Sequence, residues 1–170
     1  MRRLVDGLVE IVPRFEGGTD VDATFIAEQI EKSRRKVVEG DFDGAITNAR
    51  SMLEAVLLSI ERSVDPSPPK YDGDLVRLYR RVQKHLNLDP KREDITTPLK
   101  QVLSGLSGIV AGLAGLRNKM SDAHAPTYRA AAHHAKLAVN SARTVADFLF
   151  ETLEYQRKRG GIETLDEQEG

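Results

Sequence analysis

The sequence predicts an all-α fold, an antiparallel bundle of four to five helices. Three observations favour it: apolar residues recur at steps of three and four, no window alternates as a strand does, and proline- or glycine-containing segments separate the periodic runs. The chain has 170 residues, which is enough for one domain with a hydrophobic core. We therefore expect helices that pack side by side and are joined by short connections.

Five segments carry the helical pattern. The clearest runs from Asp41 to Arg62, and the proline-rich stretch SVDPSPPKYDG ends it because proline cannot continue a helix. The other expected helices run from Phe25 to Gly40, from Asp74 to Leu88, from Pro98 to Met120 and from Tyr128 to Gln156.

Residues 20–157 are expected to form the bundle, with a segment of different character at each end. Residues 1–19 are expected to be an arm or an additional short N-terminal helix. Residues 158–170 end in the acidic, polar stretch GIETLDEQEG, which is expected to be disordered because it has little apolar surface to bury.

The amino-acid composition limits the kinds of catalysis and binding that the chain can support. The chain has no cysteine, which excludes disulfides and thiolate catalysis and fits a cytoplasmic location. Its net charge is −1, so nucleic acid would have to bind through local basic patches. The sequence shows no clustered metal ligands, no glycine-rich phosphate loop and no run approaching 18 apolar residues. We expect no metal, no cofactor and no membrane association.

The helix expected at 98–120 contains four glycines, Gly105, Gly108, Gly112 and Gly115, which form one stripe. Each glycine costs about 1 kcal/mol relative to alanine in a helix interior. A stripe without side chains allows another backbone to approach closely. Two interpretations stay open: packing against a neighbouring helix of the same chain, or against the same helix of a second subunit.

Arg117 and Asn118 follow the glycine stripe, and His124 lies shortly beyond. A guanidinium binds phosphate oxygens, an imidazole moves protons near neutral pH, and an amide orients either group. Together they can cleave RNA without a metal: a base takes the proton of a 2′-hydroxyl, and that oxygen attacks the adjacent phosphorus. The alternative is that Arg117 and His124 cap the helix end and bind loop carbonyls.

Three segments resemble the abortive-infection-protein C-terminal family, helical modules of the HEPN superfamily found in bacterial phage-defence and toxin-like proteins. They are GDFDGAITNARSMLEAVL (40–57), LSGLSGIVAGLAGLRNKMSDAH (103–124) and HHAKLAVNSARTVADFLFETL (133–153). In that superfamily, an arginine followed by a polar residue and then by a histidine marks metal-independent endoribonucleases, in which two such motifs meet across a homodimer.

The resemblance implies a catalytic site formed by Arg117, Asn118 and His124. It further implies that Asp122 orients His124; the alternative role of Asp122 is a loop cap. Relatives often carry glycine after the histidine, whereas Ala125 follows it in this chain.

Two residues of the second helix, Glu54 and Arg50, are expected to support the site through the same resemblance. Their spacing also fits an exposed ion pair one turn apart on a helix, and that alternative stays open.

The function that the resemblance implies is a metal-independent endoribonuclease of a phage-defence (abortive infection) or toxin–antitoxin system. Its expected partners are RNA, a second copy of the chain, and an antitoxin or sensor protein. The alternative is a non-catalytic HEPN-like dimer that binds RNA, a nucleotide or a partner protein as a sensor or regulatory module. A third interpretation is a helical adaptor that recruits another protein.

Overall fold

The computed structural model of the chain describes residues 3–5, 8–10, 21–121 and 129–161, with side chains described for 21–116 and 129–161. These residues contain five helices: α1 (Ala23–Val38), α2 (Phe42–Val64), α3 (Leu75–His85), α4 (Thr97–Ser121) and α5 (Ala132–Lys158). The expected all-α bundle is therefore confirmed. Helix α5 begins four residues after the predicted start, at Ala132, because residues 129–131 are not helical.

Aspartate side chains begin three of the helices. A carboxylate at the N-cap accepts a hydrogen bond from a backbone N–H that has no partner inside the helix. The three pairs are Asp22 with Phe25 N, Asp41 with Gly44 N and Asp74 with Arg77 N, at 2.8, 2.9 and 3.0 Å.

Helices α1 and α2 form an antiparallel hairpin, because only three residues separate them. Gly40 lies in this turn with φ of 81°, a backbone conformation that residues other than glycine adopt at a cost in free energy. Asn48 of α2 joins the two helices by donating hydrogen bonds to Gln29 O at 2.9 Å and to Ser33 Oγ at 2.8 Å.

Helix α3 runs parallel to α2 because the proline-rich connection leads back along α2 before α3 begins. Near the start of α2, Arg50 Nη2 donates to Gly73 O at 3.3 Å. Further along α2, Arg81 Nε donates to Glu61 Oε1 at 2.5 Å. Residues of α3 therefore lie level with α2 residues about twenty positions earlier in the sequence.

Helix α5 packs along α2, and its Gln156 side chain donates a hydrogen bond to the carbonyl of Leu86, just after α3. Helices α2, α3 and α5 thus end at the same level. Ten residues link α4 to α5, and they reach at most about 35 Å, less than the length of the 27-residue α5. Helix α4 therefore ends beside the start of α5. We call this end, where α2 and α5 begin and α1 and α4 end, the upper end.

The core lies between α2, α4 and α5, with α1 and α3 at its sides. Helix α4 contributes a buried stripe of four residues spaced by three and four: Leu103, Leu106, Val110 and Leu113. Burying a leucine or valine side chain stabilises a fold by about 1.5–3 kcal/mol, so this stripe holds α4 against the bundle.

The glycines of α4 lie on its exposed side, away from that stripe. A Cβ atom added at Gly105, Gly108, Gly112 or Gly115 meets no atom of the described residues within 4 Å. The interpretation in which they allow close packing against a helix of the same chain is therefore wrong. The spacing of the glycines does not determine which way they face. The leucine stripe packs against the core, so the glycine stripe faces outward.

The stretch Thr97–Leu116 has a mean hydropathy of 1.4, and by length and composition it is apolar enough to cross a membrane. In this structure 22% of the stretch is buried inside the protein. This finding does not decide the expectation of no membrane association, which stays a prediction. A helix that contributes to a protein core passes the same test, and α4 does pack against α2, α3 and α5.

The N-terminal segment contains two short antiparallel strands, β1 (Arg3–Val5) and β2 (Leu8–Glu10), in which Val5 pairs with Leu8. These six residues are thus extended and not helical, whereas the other expectation for residues 1–19, an arm, stays a prediction. The physical reason is visible in the sequence: Asp-Gly at positions 6 and 7 is a preferred connection in two-residue hairpins, and apolar residues flank it.

Replacing Gly112 with alanine is expected to stabilise the single chain by about 1 kcal/mol, because the methyl group meets no atom and alanine favours the helix. Urea unfolding at low protein concentration measures this gain. The matched control is Gly40→Ala, which also adds a methyl in open space but at a φ of 81°, and should destabilise the chain. A loss of stability in Gly112→Ala would show that the outer side of α4 is covered within one chain.

Candidate functional site

The sequence-predicted catalytic residues lie at the upper end of the bundle or just beyond it. Arg117 and Asn118 belong to the last two turns of α4, and their side chains lie outside the described residues. Asp122 and His124 lie in the segment 122–128, which is also outside them. The described residues around the end of α4 therefore define the surroundings of the motif.

Arg117 follows Val110 by seven residues, which is two turns of helix within about 20°. Its backbone position thus continues the buried stripe of α4, since Val110 is 0% exposed. The glycine side of α4 lies on the opposite half of the helix. The motif arginine therefore stands at the inward side of the bundle, where α4 faces α2 and α5.

Two hydrogen bonds show which residues of α2, α3 and α4 lie at the same height along the bundle. Gln83 Nε2 of α3 donates to Ser107 Oγ of α4 at 3.3 Å, and Arg117 lies ten residues, or about 15 Å, nearer the upper end. On α2, the position level with Gln83 is about residue 63, because Arg81 is level with Glu61. Glu54 and Arg50 then lie about 13 and 20 Å nearer the upper end, on either side of the level of Arg117.

Arg50 and Glu54 form an ion pair, Nη1 to Oε2, at 2.9 Å. Arg50 is 5% exposed, so the pair is not the exposed surface pair that the sequence left open. A buried guanidinium needs hydrogen-bond acceptors, and Arg50 finds a second one in Gly73 O. Among the described residues, its buried Nε has no hydrogen-bond partner. The pair thus joins α2 to the connection that precedes α3.

Tyr71 completes this cluster, and sequence analysis missed it. Its hydroxyl donates to the same Glu54 Oε2 at 2.8 Å. Burial and the hydrogen bond to the Glu54 carboxylate raise the pKa of Tyr71 to about 12, because both disfavour the phenolate. Tyr71 lies 17 residues from Glu54, and no local pattern connects them. The one available signal was an aromatic residue within a proline-rich connection.

Two histidines of α5 also lie at the upper end. His134 Nδ1 accepts a hydrogen bond from Ala131 N at 3.1 Å, which caps the start of α5. The His133 and His134 rings lie 3.8 Å apart between centroids. The last turns of α4 and the first turn of α5 therefore bring arginine, amide and imidazole groups of the sequence to one end of the molecule.

Among residues 21–116 and 129–161, no group of three or more histidine, aspartate or glutamate side chains is arranged to hold a metal ion. The groups that the described part of the upper end offers include guanidinium, carboxylate, phenol and imidazole groups.

A family model described as an HEPN-like domain, Abi_C, matches residues 24–153. Because the match covers most of the chain, the protein belongs to this family, the abortive-infection C-terminal domains of HEPN type. The resemblance inferred from the sequence segments is thereby confirmed. Comparisons with the curated proteins and with the solved structures each found no match.

Stability in alkali is expected to reflect the Tyr71 hydroxyl. The folded-state pKa of Tyr71 is raised to about 12 from an ordinary value of 10.0. Its contribution is therefore present below about pH 10 and lost as the pH rises from about 10 to about 12. Burial also raises the pKa of Tyr79, so absorbance titration of phenolate should show a late-ionising component that decreases by one tyrosine in Tyr71→Phe. Tyr155→Phe is the control, because Tyr155 is 57% exposed. An unchanged late component in Tyr71→Phe would contradict the assignment.

Proposed function

We propose that this chain is a metal-independent endoribonuclease of a bacterial phage-defence or toxin–antitoxin system. The observation that carries the proposal is the position of Arg117 and Asn118. In a chain of the HEPN-like family they continue the inward side of α4 at the end where charged groups of α2 and imidazoles of α5 gather. Such an end suits an anionic, proton-transferring reaction better than an apolar ligand.

In the proposed reaction, Arg117 binds the oxygens of the scissile phosphate, and its charge stabilises the negative charge that develops on them. His124 acts as the general base that takes the proton from the 2′-hydroxyl. The 2′-oxygen attacks phosphorus, and the bond to the 5′-oxygen breaks as that oxygen takes up a proton. The products are a 2′,3′-cyclic phosphate and a 5′-hydroxyl. Asn118 orients the phosphate, and Asp122 orients the imidazole.

A second candidate function is favoured by one feature of the sequence. Ala125 and Pro126 follow His124, where relatives often carry glycine. If that change moves the imidazole away from the phosphate, the same upper end binds RNA, a nucleotide or a partner protein without cleaving. In that case the module is a sensor or regulatory subunit.

Purified protein is expected to cut RNA in the presence of EDTA, and His124→Ala is expected to lower the cleavage rate by at least about a hundredfold, because general base catalysis is lost. Denaturing gels with end-group analysis check both the rate and the cyclic phosphate. The matched control is His85→Ala, which removes a histidine near the opposite end of the bundle and should leave cleavage unchanged.

Cleavage by His124→Ala at the rate of the parent would exclude the assigned base. No cleavage by the parent, combined with RNA binding that Arg117→Ala abolishes, would support the second candidate. Absence of any RNA binding at low salt would exclude both RNA functions, since phosphate contacts are strongest there.

The proposed assembly is a homodimer formed through the outer side of α4. Along that side, large and small residues alternate at steps of three and four: Val102, Gly105, Ile109, Gly112, Leu116. Val102 is 60% exposed and Leu116 is 40% exposed. This spacing is the seam of a coiled coil, in which the side chains of one helix enter the gaps of another.

Because large and small residues alternate along this seam, it can pack against the same seam of a second copy. A large residue of one chain can enter the space above a glycine of the other. This use accounts for the cost of about 1 kcal/mol at Gly105 and at Gly112, the two glycines of the seam. In a parallel pairing both copies of Arg117 lie at the same end, as two cooperating motifs require.

Cross-linking is expected to detect this pairing without background, because the chain has no native cysteine. Leu116→Cys should form a disulfide-linked dimer on oxidation, since like positions face each other in a parallel pair. The yield should fall when Gly112→Ala is added, because its methyl group occupies the interface. A disulfide between Val102→Cys and Leu116→Cys chains alone would indicate antiparallel helices and contradict a shared site. No disulfide in either experiment would exclude this face.

A further inference from the structure

Helices α3 and α4 give one side of the bundle a positive charge. Neither helix contains an aspartate or a glutamate, and together they carry seven lysines and arginines. All 26 acidic residues therefore lie in other parts of a chain whose net charge is −1. A surface of one sign attracts ligands of the opposite sign even where the whole molecule is close to neutral.

Acidic side chains neutralise the part of α3 that faces α2. Arg77 forms ion pairs with Asp72 and Asp74, which lie in the connection before α3, and Arg81 forms one with Glu61 of α2. The charges of these two arginines are therefore used within the fold, where they hold α3 against α2.

Arg80 and Lys84 lie on the outer part of α3, toward α4. Arg80 precedes Gln83 by three residues, so it lies within about 60° of Gln83 around the helix. Gln83 itself donates to Ser107 of α4. Lys84 follows Arg80 by one turn. Both side chains are exposed, and within the described part of the chain neither forms a hydrogen bond or an ion pair.

Four small residues of α4 lie beside these two cations, and we call them the small-residue strip: Ser104, Gly108, Ala111 and Gly115. They recur at steps of four, three and four, so they share one side of the helix, and all four are exposed. A Cβ atom added at either glycine meets no atom of the described residues within 4 Å. The two glycines of the strip do not belong to the seam proposed for the dimer.

The hydrogen bond between Gln83 and Ser107 gives the relative height of the cations and the strip. Arg80 lies about 4.5 Å nearer the upper end than this bond, and Lys84 lies about 1.5 Å on its other side. The small-residue strip extends from about 4.5 Å below the bond to about 12 Å above it. Both cations therefore lie alongside the strip.

We propose that Arg80 and Lys84 bind phosphates of an RNA strand whose backbone lies along the small-residue strip of α4. Guanidinium and ammonium groups without acidic partners are available to bind phosphate oxygens. Residues without large side chains allow the sugar–phosphate chain to approach α4 closely. The role of this face in cleavage rests on the proposed function, but RNA binding by the face does not.

The face leads to the candidate site. From the level of Arg80, α4 continues for about 16 Å to its end at Ser121, so a strand bound along the strip extends to the upper end. Phosphate contacts carry no sequence information, so binding through this face is independent of base sequence. The face is then a substrate-binding surface outside the place of cleavage.

Fluorescence anisotropy with a 2′-O-methyl RNA oligonucleotide tests binding without cleavage, because a methylated 2′-oxygen cannot attack phosphorus. In Arg80→Gln/Lys84→Gln, Kd at low salt should rise about tenfold, and the slope of log Kd against log salt concentration should fall by about 1.4, since each phosphate contact in a single strand contributes about 0.7. Circular dichroism verifies that each variant is helical.

The matched control is Arg34→Gln/Arg35→Gln. It removes the same charge from two exposed positions of α1, which packs against α2 and α5 on another side of the bundle. Its Kd and its salt dependence should stay close to those of the parent.

A second pair of variants locates the strand. Ala111→Glu places a carboxylate on the small-residue strip, and Ala111→Gln places a neutral side chain of the same size there. Both new residues favour a helix, and the position is exposed. Kd should rise at least about fivefold more in Ala111→Glu than in Ala111→Gln, because only the carboxylate repels phosphate.

Each outcome decides the proposal. A larger loss of binding in Arg80→Gln/Lys84→Gln than in Arg34→Gln/Arg35→Gln supports it even if the parent cuts no RNA, a result that would overturn the proposed cleavage alone. Equal losses in the two double variants overturn it, because the attraction is then general. Equal Kd values for Ala111→Glu and Ala111→Gln overturn the placement of the strand on the strip. A parent that cuts RNA but binds the oligonucleotide without any effect of Arg80→Gln/Lys84→Gln overturns this proposal and leaves the proposed function standing.

Discussion

The position of α3 along α2 is the constraint on which the upper end depends, and buried charge fixes it. Glu61 is 1% exposed and accepts hydrogen bonds from Arg81, while Arg50 is 5% exposed and bonds Glu54 and Gly73 O. A buried charge without a partner is costly, so α3 cannot slide along α2 by a turn without breaking both clusters. Apolar contacts alone would tolerate such a shift more readily, because leucine and valine at neighbouring positions are nearly interchangeable.

Helix α4 takes its position from this arrangement and presents three different sides. The leucine stripe faces the core, the stripe of Ser107 faces α3, and the glycine side faces outward. Arg117 continues the first of these stripes and Asn118 the second. The backbone positions of these two neighbouring residues thus lie on different sides of α4. The proposed dimer face is a third side and does not compete with them.

The fold by itself does not define an activity, since helical bundles serve many functions. Membership of the HEPN-like family limits the range of functions to consider, and the chemical groups at the upper end limit that range further. The described groups of this end, a charge-paired cluster on α2 and two imidazoles on α5, are compatible with the proposed phosphodiester cleavage and with its alternative, the binding of a phosphate without cleavage. Both functions need Arg117 held in place; only the first needs an imidazole at the phosphate.

The sequence determined the helices and the family, because helical periodicity and motif segments are local properties of the chain. All five helices were expected within a few residues of their bounds, and the N-terminal strands were missed because three-residue strands carry too little pattern. Only the tertiary structure decided which side of each helix faces the core and which side faces the solvent. The spacing of Arg50 and Glu54 is the same in an exposed pair and a buried one, and the spacing of the glycines is the same facing in or out. Tyr71 reaches Glu54 from a distant part of the chain, because the connection folds back along α2. Burial and long-range contact depend on what packs opposite, and a local pattern does not contain that information.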